Sequence, residues 1–321
     1  MYLLFKMGGN YKVFFKLIVV SIVIIYALFP GRFAVTYPYI PIEDIKYHLV
    51  PVYKPNSKSC PTLPELGLST ELHIKTGYYN KSTYANLLNV QKGGFWKPSF
   101  CNHVYEVAII IPFRNRMNQL NIFLQYIHPF LQKHLISYRI FLIEQTFSKP
   151  FNRGALMNIG FVEALKFHLF HCFIFHDVDL LPLAEKNIYA CTKQPRHLTA
   201  ALNTWRYKLK YKNAFGGAVA ILRDHFIQIN GFSNEYFGWG GEDDDLLERI
   251  LKNKLGFCRF SPEVSKYVML HHKSEDKNPD RFEILGKAQT RFETDGINSL
   301  NYTKLFFKEK SLYTHIIVDI H

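Results

Sequence analysis

The chain has 321 residues, 48 % hydrophobic and 20 % charged, which excludes a disordered, collagen-like or coiled-coil protein and leaves one or two domains with a sizeable core. Lys and Arg number 39 against 26 Asp and Glu, a net charge of +13. The basic residues are scattered from Lys6 to Lys310, which argues against nucleic acid as a partner and for anionic small molecules or a membrane surface.

Residues 13–29, VFFKLIVVSIVIIYALF, form an apolar run of the length that spans a bilayer, about 17 to 25 residues. Lys6 and Lys12 precede it, Lys16 stands near its start and Arg32 follows, a modest bias that places Met1 in the cytoplasm. The competing reading is a cleaved signal peptide, but no obvious small-x-small cleavage pattern follows the run. Six prolines between 38 and 64 read as an extended stem. The expected organisation is a cytoplasmic tail at 1–12, a signal anchor at 13–29, a stem at 30–66 and a lumenal catalytic domain at 67–321. Sequons at Asn80 and Asn301 fit a secretory route. The five cysteines fit an oxidising compartment. Four of them can pair in three ways, the most local being Cys60 with Cys101 and Cys172 with Cys191, leaving Cys258 over; the alternative is that several are buried small hydrophobes.

In the body, VAIIIP (107–112) predicts a strand buried on both faces. Residues 117–132 carry Leu120, Phe123, Leu124, Ile127 and Leu131 at helical spacing. YRIFLIE (138–144) predicts a second strand, 156–167 a second helix, and HCFIFHDVD (171–179) a third strand. This alternation indicates an α/β sheet with right-handed crossovers, in which ligands bind beyond the carboxyl ends of the strands. Two polar clusters fall at that edge: PFRNR (112–116) and DVD (177–179).

The DVD turn offers two carboxylates at alternate positions, a pattern suited to a hard divalent cation shared with substrate phosphates; a solvated turn or helix cap is the bland account. Arg114, Arg116 and Arg153 would converge nearby and suit bidentate phosphate contact. Further on, FGWGGEDDDLLERI (237–250) surrounds Trp239 with glycines at 238, 240 and 241 and then sets four carboxylates in succession. Helix-dipole preference accounts for some of the acids, but the Gly-Trp-Gly-Gly segment suits a lid that stacks on a ligand, with a general base beside it. MLHH (269–272) adds a thioether and two imidazoles; a lone His is usually a surface or core residue, and no cysteine spacing resembles a zinc cluster.

Taken in order, IIIPFRNR, FNRGALMNIGF, FHDVDLLP, QPRH, FGGAVAIL, NGF with FGWGGEDDDLLERI, VMLHH and TDGINSLNY resemble the β-1,4-galactosyltransferase family, including its invertebrate β-1,4-N-acetylgalactosaminyltransferase branch. The stretches run from about Cys101 to Asp319, two thirds of the chain. The resemblance implies a GT-A fold, a Rossmann-like mixed sheet flanked by helices. It also implies inverting, Mn²⁺-dependent transfer from UDP-Gal or UDP-GalNAc to the 4-hydroxyl of a terminal β-linked N-acetylglucosamine on a glycan. By position it assigns the metal to Asp179, Met269 and His272, the last at the family's spacing and with His271 beside it. It lines the UDP pocket with Pro112, Phe113, Arg114, Arg116, Phe151, Arg153 and Val178, and makes Trp239 the lid. Asp243 becomes the base, with Glu242 and Asp244 holding donor sugar and acceptor. The same family has a short cytoplasmic tail, a single Golgi signal anchor, a proline-rich stem and two disulfides, which map onto Cys60–Cys101 and Cys172–Cys191.

The chain departs from the family pattern in three places: Gly154-Ala155 stand where a lysine is common, Phe237 replaces a frequent Trp, and Ala214 stands where galactose-specific members carry Tyr beside the donor's 2-substituent. The last leaves room for an N-acetyl group, so UDP-GalNAc is expected as a donor. A catalytically silent sugar-binding protein would show erosion of the metal or base positions, yet Asp179, Asp243, Met269 and His272 are all present. A metal-dependent nuclease or phosphatase would have no use for the Trp-bearing glycine segment.

Overall fold

The computed structural model describes residues 8–28, 35–61, 66–69, 71–74, 77, 79–273 and 275–321. The chain divides after Thr36. In the first unit Gly8–Leu28 is a helix over most of the expected anchor. Its side chains are described mainly over 13–25, and among the described residues no helix is long and apolar enough to cross a membrane. Residues 1–7 of the expected tail, and residue 29, lie outside the described residues.

The second unit begins at Tyr37, not at residue 67. Ile40, Ile45 and Leu49 are buried in a cluster with Ile188, Ala190, Phe260 and Val264, and the Ile40 N–H donates to the Arg259 carbonyl at 2.9 Å. Much of the proline-rich stretch expected as stem is therefore part of the body, because isoleucines between its prolines have apolar surface to bury. Disulfides join Cys60 to Cys101 and Cys172 to Cys191, and Cys258 is a free thiol. Both sequon asparagines are exposed. Asn80 caps the helix Lys81–Leu87, its side chain accepting from the Ser82 and Thr83 N–H groups.

The strands in chain order are β1 (Phe95–Trp96), β2 (Glu106–Phe113), β3 (Ser137–Gln145), β4 (Cys172–His176), β5 (Leu180–Pro182), β6 (Arg196–His197), β7 (Ala201–Leu202), β8 (Ala218–Leu222), β9 (Lys266–Met269), β10 (Tyr302–Glu309) and β11 (Thr314–Ile320). The main sheet has the order β10-β11-β3-β2-β4-β8-β6, with β1 on β3, and a small sheet has the order β5-β9-β7. From β11 to β4 the strands are parallel; β8, β6 and β10 run antiparallel to their neighbours.

β2 is buried at every position because helices cover both faces. Its odd residues Val107, Ile109, Ile111 and Phe113 cluster with Leu120, Phe123, Leu124 and Ile127 of the helix Met117–Gln132. Its even residues Ala108 and Ile110 meet Leu156 and Ile159 of the helix Arg153–Leu165. That second helix lies so close that a Cβ on Gly160 would fall 2.2 Å from the Ile110 methyl. The two helices and three strands predicted between 107 and 179 all form. The second helix starts at Arg153 rather than 156, because the Asn152 side chain caps it by accepting from the Ala155 N–H at 2.9 Å. The third strand stops at His176, leaving Asp177–Asp179 as the turn before β5.

The acidic helix Glu242–Lys252 is anchored by a buried ion network. Asp245 accepts from Arg249 at 2.6 Å, and Asp295 accepts from Arg249 at 3.1 Å and from Arg291 at 3.0 Å. Tyr236 and Ser233 hydroxyls donate to the same two carboxylates. The TDGINSLNY stretch is thus a structural element that pins this helix. Removing Asp245 takes one of two carboxylates from the buried guanidinium of Arg249 and one of two from Arg291, so Asp245→Ala is expected to lower stability by about 3–5 kcal/mol in denaturant unfolding.

Candidate active site

The site grows from the edge where β2 and β4 end and β8 begins. Register pairs His176 with Ala218, so the turn after β4 lies against the loop before β8, and the Asp177 N–H donates to the Gly217 carbonyl at 3.2 Å. The helix at Arg153 starts at the same edge. Its guanidinium lies 2.6 Å from Asp177 and 3.5 Å from Glu242, joining the DVD turn to the acidic helix. Between these elements is a cavity of about 300 Å³.

Asp179, Met269 and His272 meet on one wall because β5 and β9 pair antiparallel: Leu180 lies opposite Met269, and the Leu270 N–H donates to the Asp179 carbonyl at 2.7 Å. The Asp179 carboxylate is 2.8 Å from His272 Nδ1, a hydrogen bond that raises the imidazole pKa. One carboxylate, one imidazole and one thioether fit a divalent transition ion that leaves other positions to phosphate oxygens. His271 is exposed and is absent from the lining. Pro112, Arg114, Arg116, Phe151, Arg153 and Val178 line the adjoining part of the cavity. The Arg114 guanidinium lies over Phe147 and Phe151, and the Glu275 carboxylate lies 3.6 Å from Arg114 and 4.0 Å from Arg116. Phe113 does not join them: strand alternation turns its side chain into the core, where it is 2 % exposed.

The glycines before the acidic helix have φ of +92° (Gly238), +106° (Gly240) and +98° (Gly241), a backbone only glycine adopts readily. They present Trp239 half-exposed at the cavity, its N–H donating to the Asp276 carbonyl at 2.8 Å. Glu242 and Asp243 face the cavity from the helix's first turn; Asp244 does not line it and instead accepts from the Tyr211 hydroxyl at 2.7 Å. Asp243 packs so tightly on the opposite loop that a Cβ on Gly216 would stand 2.3 Å from its Oδ2. Burial, and then the neighbouring Asp243, push the Glu242 pKa up against the opposing pull of Arg153, and among the described residues buried Glu242 Oε2 has no hydrogen-bond partner.

Ala214 lines the cavity as well. Behind its loop, His197 Nε2–H donates to the Gly216 carbonyl at 3.0 Å and the Thr199 hydroxyl donates to the same oxygen at 2.8 Å. Burial, helped by Arg259, pulls the His197 pKa down to about 3, so the ring is neutral. Thr199, Trp205, Lys210 and Tyr211 belong to the lining without any signal in the sequence that singles them out, and His197 lines it from the QPRH stretch, to which the resemblance attaches no role. Lys210 lies 4.9 Å from the Trp205 ring and 5.6 Å from that of Trp239, yet no spacing rule marks such a cluster.

A mixed sheet with an acidic turn at its carboxyl edge and a cavity shared by arginines and carboxylates defines a GT-A-type glycosyltransferase. The family model for the N-terminal region of glycosyl transferase group 7 matches residues 60–192, and that for the N-terminal domain of galactosyltransferase matches 196–273. β-1,4-Galactosyltransferase 4 of Cricetulus griseus is 40 % identical over 289 residues, 88 % of this chain and 84 % of that protein. Human β-1,4-galactosyltransferase 1 is 42 % identical over 235 residues, 72 % of this chain and 59 % of that protein. The catalytic domain of Drosophila β-1,4-galactosyltransferase 7 aligns with a TM-score of 0.57 at 28 % identity, over 68 % of this chain and 94 % of that one. A point mutant of the fly enzyme has been solved in complex with manganese, UDP-Gal and xylobiose. The chain belongs to the β-1,4-galactosyltransferase family.

A raised carboxyl pKa in the folded state contributes stability below the ordinary glutamate range that is lost as pH rises through the raised value. Glu242→Gln is therefore expected to raise the melting temperature of the ligand-free protein at alkaline pH. The gain should shrink as pH falls towards the ordinary glutamate range. A melting temperature unchanged at every pH would contradict this account of Glu242.

Proposed function

We propose that the protein is an inverting β-1,4-glycosyltransferase that moves galactose or N-acetylgalactosamine from a UDP-sugar to the 4-hydroxyl of a terminal β-N-acetylglucosamine. The observation that carries this reading is the convergence of Asp179, Met269 and His272 with three arginines and the Glu242–Asp243 pair around one cavity. Asp179, Met269 and His272 would hold Mn²⁺, which when bound supplies a Lewis acid that stabilises the diphosphate leaving group. Arg114 and Arg116 bind the phosphates, displacing Glu275. Arg153 orients Glu242, which holds the donor sugar. The acceptor oxygen forms its bond to the anomeric carbon as the bond to the diphosphate breaks, and the hydroxyl proton passes to Asp243. Tyr211 fixes Asp244 at the acceptor side, and Trp239 closes over the donor to exclude water, the competing acceptor.

The N-terminal run fits a type II topology in the Golgi membrane, with residues 13–29 as signal anchor, 1–12 cytoplasmic, a short stem, and the body lumenal with glycans on Asn80 and Asn301. The two disulfides support an oxidising compartment. The complete metal and base set favours an active enzyme over a silent sugar-binding protein.

Calorimetry should find UDP binding that requires Mn²⁺ and is lost on chelation. Asp243→Asn should keep that binding and lower kcat by about 10²–10⁴. An Asp243→Asn protein with full turnover would remove Asp243 from the role of base.

Ala214 adds no bulk where the donor's 2-substituent is proposed to lie, so UDP-GalNAc should be used at least as well as UDP-Gal with a chitobiose acceptor. Ala214→Tyr should shift the ratio of kcat/KM values towards UDP-Gal by about tenfold or more. A strong preference of the unaltered chain for UDP-Gal would reject this donor reading.

A further inference from the structure

Arg259 is 2 % exposed and, among the described residues, is paired with no carboxylate. Burying a guanidinium without a counter-charge is costly, so its hydrogen bonds show what the cost secures. Two of them hold the cavity loop: Nη2 donates to the Lys212 carbonyl at 3.0 Å and to the Ala214 carbonyl at 2.7 Å. The third, from Nε, goes to His197 Nδ1 at 3.1 Å, fixing the ring so that its Nε2–H meets the Gly216 carbonyl at 3.0 Å. One side chain thus fixes the loop on both sides of Phe215, at Ala214 directly and at Gly216 through His197. Gly216 is in turn the residue against which Asp243 packs.

What holds Arg259 comes from the opposite end of the chain. Its guanidinium lies 5.3 Å from the Tyr37 ring and 4.8 Å from that of Phe257, and Ile40 pairs with Phe260 as a parallel bridge. Tyr37 is the first residue of the body. Stacking on a desolvated guanidinium is worth on the order of tenfold or more in an equilibrium constant, enough to shift the occupancy of one loop conformation.

We propose that Arg259 is a positioning residue for donor-sugar recognition, clamped by Tyr37, so that the point where the N-terminal segment joins the body governs how the cavity loop meets the donor. This rests on the reading of the cavity as a UDP-sugar site. UDP alone would meet the arginines and metal ligands on the other wall, whereas the sugar would meet the 212–217 loop. Disturbing the clamp should therefore separate the two affinities.

The test compares the full chain with Arg259→Met, Arg259→Lys, Tyr37→Ala and Tyr37→Phe. It measures UDP affinity with Mn²⁺ by calorimetry, kcat and KM for UDP-Gal and UDP-GalNAc, and melting temperature. Arg259→Met and Tyr37→Ala should raise donor KM by about tenfold and change the ratio of kcat/KM between the two donors by about threefold or more, with UDP affinity within about twofold of the parent. Tyr37→Phe, which keeps the ring, should behave as the parent, and Arg259→Lys should fall between. Unchanged donor KM and donor ratio in Tyr37→Ala, or sugar-nucleotide and UDP affinities falling together, would overturn the proposal. If Arg259→Met does not fold, the part-exposed Tyr37→Ala decides by itself. A parent chain that binds no UDP with Mn²⁺ sinks the underlying functional reading and this proposal with it, an outcome distinct from a parent that binds UDP while its variants discriminate donors unchanged.

Discussion

Arg153 carries two carboxylates at once, Asp177 at 2.6 Å and Glu242 at 3.5 Å, and the layout of the cavity follows from that guanidinium. It stands at the first turn of a helix whose apolar face is locked onto β2 and β3, so it cannot drift. Asp177 fixes it to the end of β4, and Glu242 fixes the acidic helix to it. The ion network of Asp245, Arg249, Arg291 and Asp295 then secures that helix from behind. Charges that would repel one another if left alone are held close by a cation in a partly desolvated place, where electrostatic terms count most.

The acids of 242–245 illustrate how one run of like residues divides its labour. Asp245 is wholly buried and structural, Asp244 is tied to Tyr211, and Glu242 and Asp243 look into the cavity. A preference of acids for a helix start explains why four are tolerated there. It does not explain why Gly216 must lack a side chain for Asp243 to sit where it does. The close approach of two loops, rather than the helix itself, gives that carboxylate its place.

Much of this is legible in the sequence. The strands and helices between 107 and 179 announce themselves because a sheet buried on both faces needs unbroken apolar runs, and its covering helices need a periodic stripe. The grouping of Asp179, Met269 and His272, proposed above to hold a cation, is reachable only through the resemblance to a family, since Asp179 and Met269 are far apart in sequence and meet by strand pairing. Phe113 is expected in the pocket on the strength of its neighbours and faces the core instead, a matter of strand alternation. Cys258 and the two bridges follow the most local pairing. Tyr37 and Arg259 give no local signal, and His197 falls in the QPRH stretch with no role attached: an arginine paired with carbonyls and rings leaves no pattern in the chain, and a stretch rich in proline reads as linker until its isoleucines are seen buried.

The bridge between Cys172 and Cys191 spans 19 positions, and the whole Asp177–Asp179 turn lies inside that span. The covalent tie therefore closes a loop around that turn. Before the sulfurs join, the enclosed segment samples many shapes; afterwards few remain, and the turn is presented ready-made. Where in the cell the chain matures thus bears on the shape of this part of the cavity wall, because oxidation of the two thiols closes the loop that carries it.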